Sequence, residues 1–144
     1  MKNTHRLIAT IVTAALLVAA VATWHNLQAP TPLALSDLCD LGEARITEIL
    51  IRNGTTGEAV TSIDPEVVAT VRELLAFVTY TRRANQAPRA GYEAYVDFYA
   101  GDERLCRVTL AGSSATIDGV AYDTDRALSA ELAAIALDLA TADG

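Results

Sequence analysis

The stretch YEAYVDFYAGDERLCRVTL, residues 92–110, carries the strongest structural signal in the chain. Apolar and polar side chains alternate along residues 92–100, which is the period of a strand with one buried face. A Gly-Asp turn follows, and residues 104–110 return with the same alternation. The two halves predict an antiparallel hairpin whose apolar face belongs to a core.

Two further hairpins flank this stretch. Residues 53–57, Asn-Gly-Thr-Thr-Gly, have the composition of a turn and join predicted strands over residues 44–52 and 58–63. The dipeptide Asp118-Gly119 is typical of a tight type I′ turn and divides residues 115–122 into two short strands. The sheet is therefore predicted to be antiparallel.

Two amphipathic helices complete the pattern. Residues 64–66, Asp-Pro-Glu, predict a helix start, because Asp caps free amide groups and Pro fits the first helical position. Residues 123–125 predict the start of a second helix that runs almost to the C-terminus. Both helices need an apolar surface, which one sheet face provides through Val96, Phe98, Val108 and Leu110. We expect a two-layer α+β domain: an antiparallel sheet of about five strands with two helices packed on one face, preceded by an N-terminal transmembrane or signal helix.

The N-terminus has the pattern of a targeting segment. An apolar run at residues 7–24 follows a basic segment at residues 1–6 and reaches about 27 Å as a helix, near the thickness of a bilayer core. The positive end is expected in the cytoplasm and the remaining chain outside it. The run is either an uncleaved anchor in the cytoplasmic membrane or a signal peptide cut after Ala22. Two prolines favour an extended linker over residues 25–38, so residues 39–141 form the predicted extracytoplasmic domain.

Composition narrows the class of protein. The chain has 144 residues, which suits one domain, and 51% are apolar, which argues against disorder. Eleven basic residues against 18 acidic residues give a net charge of −7. Nucleic-acid binding draws its affinity mainly from phosphate neutralisation by basic groups, so we expect no nucleic-acid partner.

The positions of histidine and lysine limit the possible chemistry. His5 and His25 are the only histidines, and Lys2 is the only lysine. All three lie in or beside the apolar run, so the predicted domain contains neither residue type. Catalysis by Ser-His-Asp or Cys-His groups, His-ligated metals, Schiff bases and P-loops are therefore not expected. We expect no catalysis, no cofactor and no metal.

Carboxylates remain as the other candidates for catalysis or metal binding. Glu93 and Asp97 share a strand face, but their backbones are roughly 13 Å apart, at about 3.3 Å per residue. That separation favours a solvated strand face over a glycosidase-like pair. Asp118, Asp123 and Asp125 lack the spacing of a calcium loop, and turn or cap roles account for them.

Cys39 and Cys106 are the two cysteines of the chain. Exported proteins meet an oxidising compartment, so we expect a disulfide that fixes the entry of the chain onto the sheet. The alternative is two separate thiols, with Cys106 as a small core residue.

Two groups of side chains are candidates for binding. The first group lies on the outer sheet face and is predicted to comprise Tyr95, Tyr99, Leu105 and Arg107. Tyr and Arg are enriched at binding hot spots, so Tyr95, Tyr99 and Arg107 are the candidates for contact. The alternative is that these side chains only stabilise an exposed face. Arg82, Arg83 and Arg89 concentrate positive charge in one loop, which could recognise an anion or an acidic partner. The alternative is ordinary solvated charge, or pairing with acidic residues of the same domain.

The order of elements between residues 46 and 122 resembles small extracytoplasmic α+β domains of bacterial lipoproteins of unknown function. The resemblance lies in the turn at 53–57, the helix start at 64–66, the strand at 92–98 and the segment TIDGVAY at 116–122. The lipid-attachment Cys typical of such proteins is missing, and the resemblance implies no activity.

These features together predict a non-catalytic interaction module of the bacterial envelope, either membrane-tethered or secreted. Its partner would be a protein or small ligand outside the cytoplasm, and its membrane contact would be the N-terminal helix. One alternative is an inhibitor or immunity-type protein that binds a basic partner. Another is a small hydrolase that uses carboxylates only.

Overall fold

A computed structural model describes residues 13–21, 23–24, 30–42, 45–88 and 90–142. The chain divides into two units, Met1–Pro30 and Thr31–Gly144. Residues 13–21 and 23–24 of the first unit are helical. Over the residues that the structure describes, no helix combines the length and the apolar character that crossing a membrane requires. The expected cleavage position at Ala22, and part of the apolar run, lie outside the described residues.

The second unit contains one antiparallel sheet of eight strands, in the spatial order β1-β4-β8-β7-β6-β5-β2-β3. The strands are β1 (Pro32–Leu33), β2 (Glu48–Asn53), β3 (Ala59–Ser62), β4 (Tyr80–Arg82), β5 (Ala94–Ala100), β6 (Glu103–Ala111), β7 (Ser114–Ile117) and β8 (Val120–Thr124). Its helices are α1 (Leu35–Leu38), α2 (Pro65–Ala76) and α3 (Ser129–Ala142).

The prediction of an α+β fold with a sheet of about five strands was wrong. The described chain has eight strands and, with the helical residues near the N-terminus, four helices. β1 and β4 span two and three residues, which is too short for alternation to be visible in the sequence. Both strands form through pairing with distant partners, β1 with β4 and β4 with β8, so tertiary contacts decide them.

The strand register aligns apolar side chains on one face of the sheet, and this face forms the core. Ile51, Val96, Val108 and Ile117 lie opposite one another in a row across β2, β5, β6 and β7. All four are buried, as is Phe98. The predicted apolar face of the 92–110 hairpin is confirmed, and each such side chain contributes roughly 1.5–3 kcal/mol through burial.

The α2 helix begins as its sequence predicts. The Asp64 carboxylate accepts a hydrogen bond from the Glu66 amide at 2.8 Å, and Pro65 occupies the first turn. Val71 and Leu75 bury the apolar face of the helix in the core. The cap therefore fixes where the helix starts, and the apolar stripe fixes which side packs.

The α3 helix starts later than residues 123–125 predict. β8 continues to Thr124, and the helix begins at Ser129. The Asp125 carboxylate accepts from the Thr79 amide at 3.0 Å and so joins β8 to the entry of β4 instead of capping a helix. Leu132 is fully buried, and α3 packs against β2, β3 and β5.

The segment expected to be an extended linker differs from that expectation. Its described part contains β1 and α1, and Leu35 is buried in the core. Cys39 follows α1 and forms a disulfide with Cys106 of β6, with a Cα–Cα distance of 5.9 Å. The predicted disulfide is therefore present, and it ties the start of this unit to a central strand.

Candidate binding groove

The face of the sheet that points away from the core, here called the outer face, carries polar side chains of the central strands. Tyr95 of β5 lies opposite Arg52 of β2 and Thr109 of β6. Two residues along β5, Asp97 lies opposite Arg107. Directly opposed residues point to the same face, so these side chains meet on the outer face.

Asp97 and Arg107 form a two-pronged ion pair at the centre of the outer face. Nε of Arg107 donates to Oδ1 at 2.6 Å, and Nη2 donates to Oδ2 at 2.5 Å. The Asp97 side chain is 1% exposed and that of Arg107 is 38% exposed, so the carboxylate lies beneath the guanidinium. Hydrogen bonding to Asp97 raises the pKa of Arg107. The Nη1 end of the guanidinium takes no part in this pair and can donate to another acceptor.

Tyrosines hold this ion pair in place. The guanidinium carbon of Arg107 lies 4.3 Å from the ring centroid of Tyr95, a cation–π contact. The Tyr92 ring lies 5.4 Å from that of Tyr95, and the Tyr99 hydroxyl donates to Oδ2 of Asp97 at 3.4 Å. Arg107 is thus fixed by a carboxylate and by an aromatic face, and little conformational freedom remains for a ligand to remove.

A β-bulge sets the position of Arg104. Phe98 pairs with Cys106, but the next residue, Tyr99, pairs with Arg104, so Leu105 is the extra residue of β6. Regular alternation would place Arg104 on the core face together with Cys106. The bulge turns it to the outer face instead, where Arg104 and Leu105 line the same cavity.

The loop between β4 and β5 forms a wall beside the outer face. Gln86 fixes it to β8, because its Oε1 accepts from the Ala121 amide at 2.8 Å and its Nε2 donates to the Ala121 carbonyl at 3.0 Å. The Arg83 amide donates to the same carbonyl at 3.0 Å, and Nε of Arg83 lies 3.2 Å from Asp123. The Gln86 side-chain amide thus makes the two hydrogen bonds to the Ala121 backbone that a neighbouring strand would make. These bonds hold the loop close to the sheet.

Two cavities that share part of their lining are together called the groove, and the first of them lies along this wall. The first has a volume of about 400 Å³, and its lining includes Gln86, Ala87, Pro88 and Ala121. The second has a volume of about 450 Å³, and its lining includes Arg104, Leu105, Arg107 and Asp118. The residues shared by both linings are Thr109, Thr116 and Gly119. The groove is therefore apolar beside the loop and polar at the arginines.

The structure brings together part of the predicted binding set. Three of its members lie on the outer face: Tyr95, Tyr99 and Arg107. Arg83 lines the first cavity, whereas Arg82 is exposed and lines neither cavity of the groove. Arg89 lies outside the described residues. The expected cluster of loop arginines is thus represented in the groove by Arg83.

Sequence reasoning missed Arg104, Gln86 and Thr116. The position of Arg104 depends on a bulge, for which the sequence carries no distinct signal. Gln86 donates locally to the Arg83 carbonyl at 2.6 Å, but its two contacts with Ala121, 35 residues further along the chain, have no local signal in the sequence. Thr116 was placed correctly in a strand, and only the position of the β4–β5 loop makes it part of a groove floor.

The carboxylates near the groove are engaged in hydrogen bonds. Asp118 lies in the β7–β8 turn with φ 46°, and its Oδ1 accepts from the Arg107 amide at 2.9 Å, which joins this turn to β6. Glu93 accepts from the Ser129 hydroxyl and, at 3.2 Å, from the Gly112 amide. These two hydrogen bonds lower the pKa of Glu93. Within the described ranges, no cluster of three or more His, Cys, Asp or Glu residues is arranged to hold a metal.

The groove combines hydrogen-bond donors at one end, threonine hydroxyls along its floor and small apolar side chains beside the loop. Cavities of several hundred Å³ with a few convergent polar groups are typical of small-molecule sites. No protein-family model, no curated protein and no solved structure matches this chain.

Proposed function

We propose that this chain is a non-catalytic binding module and that the groove is its binding site. The observation that carries the proposal is the fixed arrangement around Arg107. A partly exposed guanidinium is held by Asp97 and by the Tyr95 ring, at the end of a cavity large enough for a small ligand. Such prior ordering of a polar group reduces the entropy lost on binding.

A binding role is also supported by how the carboxylates are used. Both oxygens of Asp97 accept from Arg107, and its side chain is buried under that residue. Glu93 is ionised more readily than an ordinary carboxyl group, which makes it a weak base. In general acid–base catalysis, a carboxyl group is most effective when its pKa lies near the working pH, and Glu93 is shifted away from it. The hydrolase alternative therefore receives no support from these groups.

We further propose that the groove works outside the cytoplasm. The chain would be either anchored through residues 7–24 or released after Ala22. The Cys39–Cys106 disulfide supports this location, because disulfides persist in oxidising compartments and are rare in the cytosol. The partner would be a small ligand, or a protein side chain of similar size, in that compartment.

The outer face gives no support to the alternative of a basic partner. Arg52, Arg104 and Arg107 lie on this face among carboxylates, and the Asp97 carboxylate is covered by Arg107. The described part of this face therefore offers a basic protein no concentration of unpaired negative charge. The proposal therefore keeps the groove as a ligand site.

A fragment screen on the full chain tests whether the groove binds small molecules. Ligand-observed NMR would compare the wild type with Thr116→Trp, which fills the groove floor, and with Thr61→Trp. Thr61 also lies on the outer face, in β3, but lines neither cavity. The same substitution is therefore made inside and outside the groove.

We expect fragments that bind the wild type and Thr61→Trp to lose binding by at least about tenfold in Thr116→Trp, since a bulky ring excludes them from the floor. Thermal melts of both variants establish that the fold is kept. Equal binding to all three proteins, or no fragment bound to the wild type, would overturn the proposal.

A further inference from the structure

We propose that the groove takes a small amphipathic oxyanion, with a carboxylate or phosphate head at Arg104 and Arg107 and an apolar body beside the β4–β5 loop. This inference rests on the proposed function, since it assumes that the groove is a binding site. It adds the chemical class of the ligand, which the two ends of the groove specify.

The position of the anionic head follows from which charged groups of the second cavity are already engaged in hydrogen bonds and which are not. Asp97 is covered by Arg107, and Oδ1 of Asp118 already accepts from a backbone amide. Arg104 is exposed and has no ion-pair partner among the residues that the structure describes. The donors that remain are therefore those of Arg104 and the Nη1 end of Arg107. Guanidinium groups match the geometry of carboxylate and phosphate oxygens, which makes an oxyanion the best occupant.

The bulge in β6 is what makes a two-arginine head site. If Leu105 instead paired regularly with Tyr99, alternation would place Arg104 on the core face, away from Arg107. Bulges commonly redirect a side chain next to a functional site. In this chain the redirected side chain is a cation, in a protein whose net charge is −7.

The body position follows from the composition of the first cavity. Ala87 and Pro88 of the loop line this cavity together with Ala111 and Ala121 of the sheet. Small apolar side chains leave room for a chain of a few carbon atoms, and burial of such a chain favours binding through the hydrophobic effect. Because Thr109 and Thr116 line both cavities, the head and the body of one ligand can occupy them together.

Two substitutions, each removing one charge, test the head site. One is expected to weaken anion binding and the other to strengthen it. Arg104→Gln removes the cation that has no ion-pair partner, while keeping a polar side chain of similar length. Asp118→Asn removes a nearby negative charge, and Asn keeps both the acceptor oxygen for the Arg107 amide and the tolerance for φ 46°. Arg126→Gln is the matched control, since Arg126 is exposed, pairs with Glu131 and lines neither cavity.

The probes are hexanoate, hexyl phosphate, 1-hexanol and acetate, measured on the full chain by ligand-observed NMR or calorimetry. Hexanol has the body without the charge, and acetate has the charge without the body. We expect hexanoate or hexyl phosphate to bind the wild type more tightly than both hexanol and acetate. For the tighter anion, Arg104→Gln should weaken binding by about five- to tenfold, and Asp118→Asn should strengthen it by about two- to fivefold. Arg126→Gln should leave it unchanged.

The outcomes separate this inference from the proposed function. If hexanol binds as tightly as both anions and Thr116→Trp blocks all of them, the groove is a ligand site but the oxyanion preference is wrong. If neither anion binds but Thr116→Trp still weakens the binding of fragments, the inference is wrong and the proposed function stands. If Arg104→Gln and Arg126→Gln have equal effects on the anions, the head site is not at Arg104, which also overturns the inference.

Discussion

At the scale of single residues, the stability of the outer face depends on how one buried charge is neutralised. Asp97 is almost fully buried, and an unpaired carboxylate in that position would be strongly unfavourable. Arg107 supplies two hydrogen bonds and the opposite charge, and it remains partly exposed itself. The pair is thus more important for avoiding an unpaired charge than as a source of net stability.

Replacing Arg107 alone should therefore cost more than replacing both partners. We expect Arg107→Leu to lower the free energy of unfolding by about 2–3 kcal/mol, somewhat less than for a fully buried pair because water reaches Arg107. The double variant Asp97→Leu/Arg107→Leu should recover most of that loss. Urea unfolding of the two variants and the wild type measures this, and a double variant less stable than the single one would contradict it.

Glu93 should make stability depend on pH in the acidic range. Its pKa is lowered by the Ser129 hydroxyl and by the Gly112 amide, so the folded protein favours the ionised form. The contribution is fully present above the usual carboxyl pKa of 4.5 and is lost as the pH falls through the lower folded value. Thermal melts of the wild type and Glu93→Gln should differ most above the usual carboxyl pKa, and the difference should shrink as the pH falls and Glu93 becomes protonated. A difference that grows as the pH falls would contradict the assignment.

The sequence pattern predicted correctly which side chains share the outer face. It did not predict which of those side chains are buried there. Alternation placed Tyr95, Tyr99 and Arg107 correctly on one side of the hairpin. The same reasoning treated Asp97 as part of a solvated face, because nothing local to it indicates that a guanidinium ten residues away will cover it. Burial on an outer face is decided by cross-strand partners, which periodicity does not identify.

At the scale of elements, the hairpin of β2 and β3 depends on the absence of a side chain at its turn. A Cβ atom at Gly54 would lie 2.1 Å from the carbonyl oxygen of Tyr92, which is backbone and cannot swing away. The Gly54 amide also donates to the Glu93 carbonyl at 2.8 Å. The turn therefore packs directly against the chain that leads into β5.

Gly54→Ala should force that segment to move and lower the free energy of unfolding by about 1–3 kcal/mol. Gly42→Ala is the matched control, because a Cβ there meets nothing within 4 Å. It should change stability by no more than about 0.5 kcal/mol. Chemical unfolding of both variants measures the difference, and equal effects would show that the close approach at Tyr92 is not limiting.

Among the strands, length and turn chemistry decide what a sequence can reveal. The Asp118-Gly119 turn joins β7 and β8 as predicted, because both residues adopt the positive φ that a type I′ turn requires. β4 was missed, since three residues give no readable alternation and its pairing partner, β8, lies about forty positions away. The late start of α3 has the same cause: pairing with β4 extends β8 through residues whose local composition favours a helix cap.

At the scale of the whole molecule, the disulfide connects Cys39, the first residue of the predicted domain, to the centre of the sheet. Cys39 and Cys106 are separated by 67 positions, and both are buried. A bond that closes a loop of this length restricts the unfolded chain, and in the chain-entropy model it contributes about 4 kcal/mol. The sequence predicted the bond from the number of cysteines and the expected compartment. It did not predict that β1 and α1, which precede Cys39, pack as part of the same unit.

Removing the bond should therefore destabilise the unit without altering the groove. Cys106 points to the core, whereas its neighbour Arg107 points to the outer face, so a substitution at Cys106 leaves the ion pair with Asp97 in place. We expect the variant Cys39→Ala/Cys106→Ala to lose up to about 4 kcal/mol in urea unfolding. The reduced wild type should match the variant, which separates loss of the bond from loss of side-chain packing. Alkylation of the unreduced, unfolded wild type should label no thiol. Two labelled thiols would show that the bond is absent, and the main support for an extracytoplasmic location would be lost with it. A variant as stable as the oxidised wild type would show that the bond does not contribute to stability.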